Sequence, residues 1–229
     1  MRFAIWSGPR NLSTAMMYSF GARSDFDVMD EPFYAAYLKA TGSDHPMAAE
    51  IIAAHESDPA QVSTLCQREG TPHLYMKHMP HHMLPDFPMD WAQDCVHVHL
   101  IRHPARVIAS YAAKRDAPTL DDIGFVQQDR IYDSLGGVVI DSTDIRANPE
   151  EMLQRLCAAI GVRWDPEMLR WPAGGHPADG VWARHWYGAV HASTGFAGAE
   201  GALPALTDAQ TKLVEAAMPY YERLWKIRL

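Results

Sequence analysis

The sequence predicts a three-layer α/β fold, a mainly parallel sheet with helices on both faces, forming one domain over residues 1–229. Two observations carry this. Short apolar runs bounded by turn residues alternate with stretches of helical period, as expected of strands buried on both faces and joined by right-handed crossovers. Twice, in "FAIWSGPRNLSTAMMYSF" (3–20) and "VHVHLIRHPARVIASYAAK" (96–114), an apolar strand runs through a short turn directly into a helix.

In chain order, strands are expected at Phe3–Trp6, Asp27–Met29, Leu74–Met76, Val96–Ile101 and Val138–Ile140, each a short run rich in apolar residues. Helices are expected at Ser13–Ala22, Met47–Ala54, Ala60–Glu69, Ala105–Lys114 and Pro149–Ile160. Two helix starts are explicit: Asn148-Pro149-Glu150-Glu151 supplies a cap, a proline and two acids, with Gly161 closing that helix, and Thr207-Asp208 opens a last helix to about Trp225 despite Pro219. Residues 171–204 have weak periodicity and several tryptophans. They are expected to form an ordered loop with short helices over a site, because long loops in compact domains are usually functional.

With 48% hydrophobic and 21% charged residues, the composition is that of an ordinary globule. A net charge of −8 gives no general basic field, which argues against nucleic acid as a partner. Three cysteines without metal-ligand spacing (Cys66, Cys95, Cys157) read as reduced core thiols. "HMPHHM" (78–83) lacks a zinc-binding pattern, so no metal is expected. No apolar run approaches the roughly 20 residues of a membrane span and no charged leader precedes the first strand, so the expectation is a soluble, cytoplasmic protein with no membrane partner. The sequence sets no oligomeric state.

The turn after the first strand reads as an anion cradle. Aligning a nucleotide-triphosphate loop, GxxxxGK[ST], at Gly8 puts Ser13 at its second glycine and Thr14 at its lysine, so the residue that reaches the terminal phosphates is missing. Backbone N–H groups of residues 10–14 at a helix start, the Ser13 and Thr14 hydroxyls and the Arg10 cation still favour a phosphate. The alternative is a simple helix cap at Asn11 or Ser13 beside a surface arginine. In the second strand-turn-helix, Arg102 stands at the strand end, Pro104 starts the helix and Ser110 lies two turns on, so both polar groups can face the crevice where such sheets bind ligands.

Together these stretches resemble the sulfotransferases that use 3′-phosphoadenosine 5′-phosphosulfate (PAPS). In that family a Pro-Lys/Arg-small-small-Thr loop holds the 5′-phosphosulfate, and Pro9, Arg10, Asn11, Leu12, Ser13 and Thr14 fill it here. The family's 3′-phosphate element, an arginine at a later strand end with a serine eight residues on, is matched by Arg102 and Ser110, within a context that includes Pro104 and Tyr111. "LYMKHMP" (74–80) resembles the family's strand ending in lysine and a histidine base, through Lys77 and His78. The family separates the two by one residue and this chain does not, so His81 and His82 stand as alternative bases. "GGVVIDSTDIRANPEEMLQRLCAAIGV" (136–162) resembles the following strand and helix. "ADGVWARHWYG" (178–188) is the nearest counterpart of the closing loop, with Trp182 and Arg184 beside the nucleotide.

The resemblance implies a P-loop-like nucleotide-binding fold and transfer of a sulfuryl group from PAPS, as co-substrate and without a metal, to a small hydroxyl- or amine-bearing acceptor. Arg10 and Lys77 would stabilise the leaving phosphate, His78 would remove the acceptor proton, and Arg102 with Ser110 would hold the 3′-phosphate. "MDEPFYAAYL" (29–38) follows the second strand, so Asp30, Glu31 and Tyr34 are candidates for the acceptor side; the two acids alternatively hold Arg10 or cap the helix beginning at Pro32. A small-molecule kinase of the same fold and a non-catalytic nucleotide-binding protein are the competing readings.

Overall fold

The computed structural model describes residues 1–69, 72–114 and 117–229. Its described residues form a five-stranded sheet from β1 (Arg2–Ser7), β2 (Phe26–Asp30), β3 (His73–His78), β4 (Val96–Ile101) and β5 (Val138–Asp141). The strand order is β2-β3-β1-β4-β5 and every pairing is parallel. β4 keeps the bounds of its apolar run, and the other strands extend one or two residues beyond theirs. That extension carries Asp30 and Lys77 into register with one another and His78 into register with Trp6.

Successive strand residues point to opposite faces. Phe3 and Ile5 of β1 join Tyr75, Val98, Leu100 and Ile140 in one layer of core, covered by α1 (Ser13–Gly21). Ala4 and Trp6 join Leu74 and Met76 in the other, beneath α2 (Tyr34–Thr41), α3 (Ala48–Ala54) and α4 (Pro59–Cys66), of which α2 and α4 reach the sheet through Ala36 and Val62. α5 (Pro104–Ala112) packs Val107 and Ile108 there as well. After the short α6 (Leu120–Ile123), α7 (Phe125–Leu135) adds Ile131. α8 (Ser142–Ala147) and α9 (Pro149–Ala159) return to the first face, α9 through Leu153 and Leu156. The sheet is thus covered on both sides.

The helix starts follow the local chemistry. Asn148 caps α9 by accepting from the Glu151 N–H, with Pro149 in the first turn. Thr207 and Gln210 form a reciprocal capping box at α12 (Asp208–Trp225), which continues through Pro219; α10 (Ala183–Trp186) and α11 (Gly188–His191) are the short helices within 171–204. The helix expected from Pro32 is α2, which begins at Tyr34, whereas α6, α7 and α8 correspond to no helix expected from the sequence. Met47 has a left-handed φ of 66° and precedes α3 rather than opening it.

The cysteines are free thiols, with burial pushing Cys157 up to about 11 and Cys66 up to about 12. Among the described residues no helix is long and apolar enough to cross a membrane.

Candidate active site

A cavity of about 280 Å³ opens at the carboxyl ends of β1, β3 and β4. It lies where the chain, having laid β2 and β3 on one side of β1, places β4 on the other, the switch point at which open α/β sheets bind ligands.

The floor is the turn from β1 into α1. Arg10 and Leu12 both have left-handed backbone (φ 60° and 63°), a conformation that costs energy for residues with a Cβ and is found where surrounding contacts over-determine the loop. Those contacts are visible. The Asn11 amide donates to the Leu100 carbonyl at 2.7 Å and Arg102 Nη1 donates to the Arg10 carbonyl at 2.6 Å, so the end of β4 holds the loop from two sides. Gly8 passes so close to α6 that a Cβ would lie 2.6 Å from the Ile123 carbonyl oxygen. Asn11 is therefore an anchor and not a helix cap; the cap position belongs to Leu12, without a side-chain bond.

Pro9, Arg10, Asn11, Leu12, Ser13 and Thr14 line the cavity together with Arg102 and Ser110. Arg10 Nε donates to Ser110 Oγ at 3.0 Å across 100 residues of chain. Burial and the charge of Arg102 both lower the Arg10 pKa, the signature of two guanidinium groups facing one space. The buried Arg102 Nε has no hydrogen-bond partner among the described residues. Two cations, three hydroxyls and a helix start at one end of a cavity are an arrangement suited to an anion.

The other end is acidic and aromatic. Lys77 is fully buried and donates to Asp30 Oδ1 at 2.9 Å, to Glu31 Oε1 at 2.6 Å and to the Tyr187 hydroxyl, over whose ring it lies at 4.6 Å. Burial alone would depress Lys77, but the two carboxylates outweigh it and keep the ammonium charged. Burial raises Glu31, the Lys77 charge opposes that, and Asp30 adds to it. Glu31 Oε2 faces His82 Nδ1 at 4.0 Å, and His82, stacked on Tyr34 at 4.5 Å, is held neutral by burial. The Tyr34 hydroxyl and His45 Nδ1 are 2.9 Å apart. Glu31, Tyr34 and Lys77 line the cavity, as do His81 and His82, and Asp30 backs Lys77 from just outside it. The acids thus hold Lys77, not Arg10, and the cap position of α2 is Phe33 with no side-chain bond.

Three expected residues lie elsewhere. His78 does not reach the cavity: as the last residue of β3 it points to the face opposite Lys77 and is sandwiched between Trp6 and Trp91, at ring distances of 4.8 and 4.6 Å. Burial there drives its pKa down to about 3, so it is a neutral core histidine and its geometry does not suit a base. Trp182 is buried against Tyr34 and His55 and donates to the Tyr187 hydroxyl at 2.9 Å, serving the acidic cluster from behind. Arg184 is exposed and pairs with Glu50 at 3.2 Å. From the same segment it is Trp186, Tyr187, Ala189 and Val190 that line the cavity. Tyr187 is the main residue the sequence reading missed. Its only signal was a tyrosine within the quoted "ADGVWARHWYG", indistinguishable there from packing.

A family model for the sulfotransferase domain matches residues 1–228. Among curated proteins, the chain is 34% identical over 226 residues to branched-chain-amino-acid aminotransferase-like protein 1 of Arabidopsis thaliana and 33% identical to protein 2 of that name. Each match covers 96% of this chain and 40% of the relative, so the chain spans well under half the length of these proteins. Solved structures of similar fold include the sulfotransferase domain from the curacin biosynthetic pathway (TM-score 0.54, 14% identity, 94% of this chain and 96% of that one). Mouse sulfotransferase SULT7A1 complexed with PAP is similar too (TM-score 0.57, 12% identity, 97% and 84%). A match extending over nearly every residue, on a parallel sheet whose switch point carries the anion cradle, places the chain in the sulfotransferase-domain family.

Proposed function

We propose that this chain moves a sulfuryl group from PAPS to a small acceptor bearing a hydroxyl or amine. The observation that supports this most directly is the convergence of Arg10, Arg102 and Ser110, from two separate strand ends, on one anion-binding end of the cavity. Ser13, Thr14 and the start of α1 would take the 5′-phosphate side of the donor and Arg102 with Ser110 its 3′-phosphate; SULT7A1, of the same fold, is complexed with PAP, the desulfated nucleotide.

The reaction breaks the S–O bond to the phosphate and forms an S–O or S–N bond to the acceptor hydroxyl or amine, through a loose in-line transition state that asks the protein chiefly to position and neutralise charge. Arg10 would stabilise negative charge on the departing phosphate. Lys77, sealed among Asp30, Glu31 and Tyr187, instead keeps the acidic end assembled. The acceptor proton goes to Glu31 in this reading: the group lines the cavity, its Oε1 is occupied by Lys77 and Tyr187, its Oε2 is turned toward His82, and burial moves its pKa up toward the working range of a general base. An acidic end ringed by Tyr34, Trp186 and Tyr187 also suits an acceptor carrying a positive charge.

Calorimetric titration with 3′-phosphoadenosine 5′-phosphate (PAP), without magnesium and beside ADP and ATP, tests the donor site. The expected result is preferential binding of the bisphosphate, weakened about 10- to 100-fold in Arg102→Ala and less in Ser110→Ala. Preferential binding of ATP with magnesium, unaffected by either substitution, would overturn the assignment in favour of a kinase.

A further inference from the structure

Behind Arg102 lies a buried carboxylate that no motif announces. Glu200 is the lone charged residue between 195 and 206, in a stretch without regular secondary structure. Its side chain is 1% exposed, accepts three hydrogen bonds and pairs with a further guanidinium. Oε1 accepts from Arg102 Nη2 and, at 2.9 Å, from Arg146 Nη1; Oε2 accepts from Thr143 Oγ1 at 2.9 Å and lies 3.0 Å from Arg106 Nε. The same arginines bind the neighbouring backbone, Arg146 through the Gly198 carbonyl at 2.9 Å and Arg106 through those of Gly201 and Ala202. Burial alone would raise the Glu200 carboxyl; the bonds from Arg102 and Thr143 and the charges of Arg102 and Arg106 outweigh it and hold the acid below its ordinary range. It is an ionised group saturated with donors.

Its location decides what it does. Arg102 lines the cavity, whereas Glu200, Arg106, Arg146 and Thr143 do not. Arg102 therefore spends Nη1 on the phosphate loop and Nη2 on Glu200, while its Nε is buried with no hydrogen-bond partner among the described residues. A guanidinium held at two corners is fixed in plane and orientation before any ligand arrives, which removes an ordering cost from binding.

We infer that Glu200 is a positioning residue for the donor's 3′-phosphate, fixing the face that Arg102 presents to a phosphate monoester and pinning the 198–202 strap beside it. This rests on the donor site proposed above. The opposite role is a tethered competitor, a carboxylate standing where the phosphate must go, and the two differ in sign.

The test is the ratio of dissociation constants for 5′-AMP and PAP, which differ by the 3′-phosphate alone. Taking a ratio cancels the gain at the shared 5′-phosphate that follows from removing a negative charge; the gain at the 3′-phosphate remains and works against the expected fall, so a fall is the more telling for it. In Glu200→Gln, whose amide would set donors against Thr143 or the arginines, the preference for PAP is expected to fall about tenfold or more, and the donor KM to rise with kcat little changed. An unchanged or larger preference would overturn the inference and favour the competitor. Thr143→Val, uncharged, outside the cavity and removing one of the three hydrogen bonds to Glu200, is expected to shift the ratio in the same direction by less, and it decides the matter where Glu200→Gln does not fold. A wild-type protein with no preference for PAP over 5′-AMP would instead remove the donor reading itself.

Discussion

Lys77 and His78 show how one residue of spacing redirects chemistry. In a strand, neighbours face opposite ways, so a histidine adjacent to the site lysine is committed to the other face as long as β3 continues through it, and pairing with Trp6 shows that it does. His78→Phe is accordingly expected to leave turnover near that of the unaltered protein, measured as kcat with a competent acceptor. Glu31→Gln should lower kcat by about 10²- to 10⁴-fold with PAP affinity retained. The motif residues on the β1 and β4 turns were legible because their chemistry is local: a strand end, a turn, a helix start. Tyr187 and Glu200 were not, since each acts through partners more than 50 residues away, Glu31 and Asp30 in one case and Arg102 and Arg146 in the other, and no periodicity encodes such pairs.

The β1–α1 loop, as an element, is strained and held from outside. Gly8→Ala would place a methyl 2.6 Å from the Ile123 carbonyl, so the loop and α6 must separate; a loss of about 1–3 kcal/mol in chemical denaturation is expected, with weaker PAP binding. Asn11→Ala is expected to be milder for stability, about 1 kcal/mol, because Gln128 Nε2 also donates to the Leu100 carbonyl and leaves it satisfied. Helix ends marked by caps and prolines could be read directly from sequence, as at Asn148 and Thr207. The start of α2, expected at Pro32 and found at Tyr34, is less legible because it opens without a side-chain cap, and α7 is not legible because it starts from a left-handed Gly124 that resembles a loop.

At the scale of the whole molecule, the alternation of strands and helices was enough to give the layers and the parallel sheet, since only crossovers on both faces bury such uniformly apolar strands. What the pattern did not carry is where twelve histidines would go. His78 and His99 are buried in the core, with pKa values driven down to about 3 and about 4. The unfolded chain binds protons at these groups below its ordinary histidine pKa of 6.5 and the folded chain does not, so stability falls as pH falls, beginning near 6.5. Each group is expected to remove about 2 kcal/mol by pH 5. The depressed carboxyls, such as Asp25 and Glu200, lose their contribution only at lower pH, whereas Glu31 and Asp141, whose carboxyls burial raises, bind protons in the folded chain first and offset part of the histidine loss. Urea midpoints measured at about pH 7.5 and about pH 5 should separate clearly for the native sequence and less for His78→Phe.

The β1–β4 pairing, from Phe3 opposite Val96 to Ser7 opposite Leu100, joins the two strands whose ends hold the anion cradle. A ligand gripped by Arg10 on one side and Arg102 on the other would act as a brace across that single ladder, favouring states in which it stays closed. Amide hydrogen exchange along this ladder should therefore slow when PAP is present, more than in the β2–β3 ladder at the far edge of the sheet, and the contrast would trace the ligand's grip through the backbone without any label or acceptor.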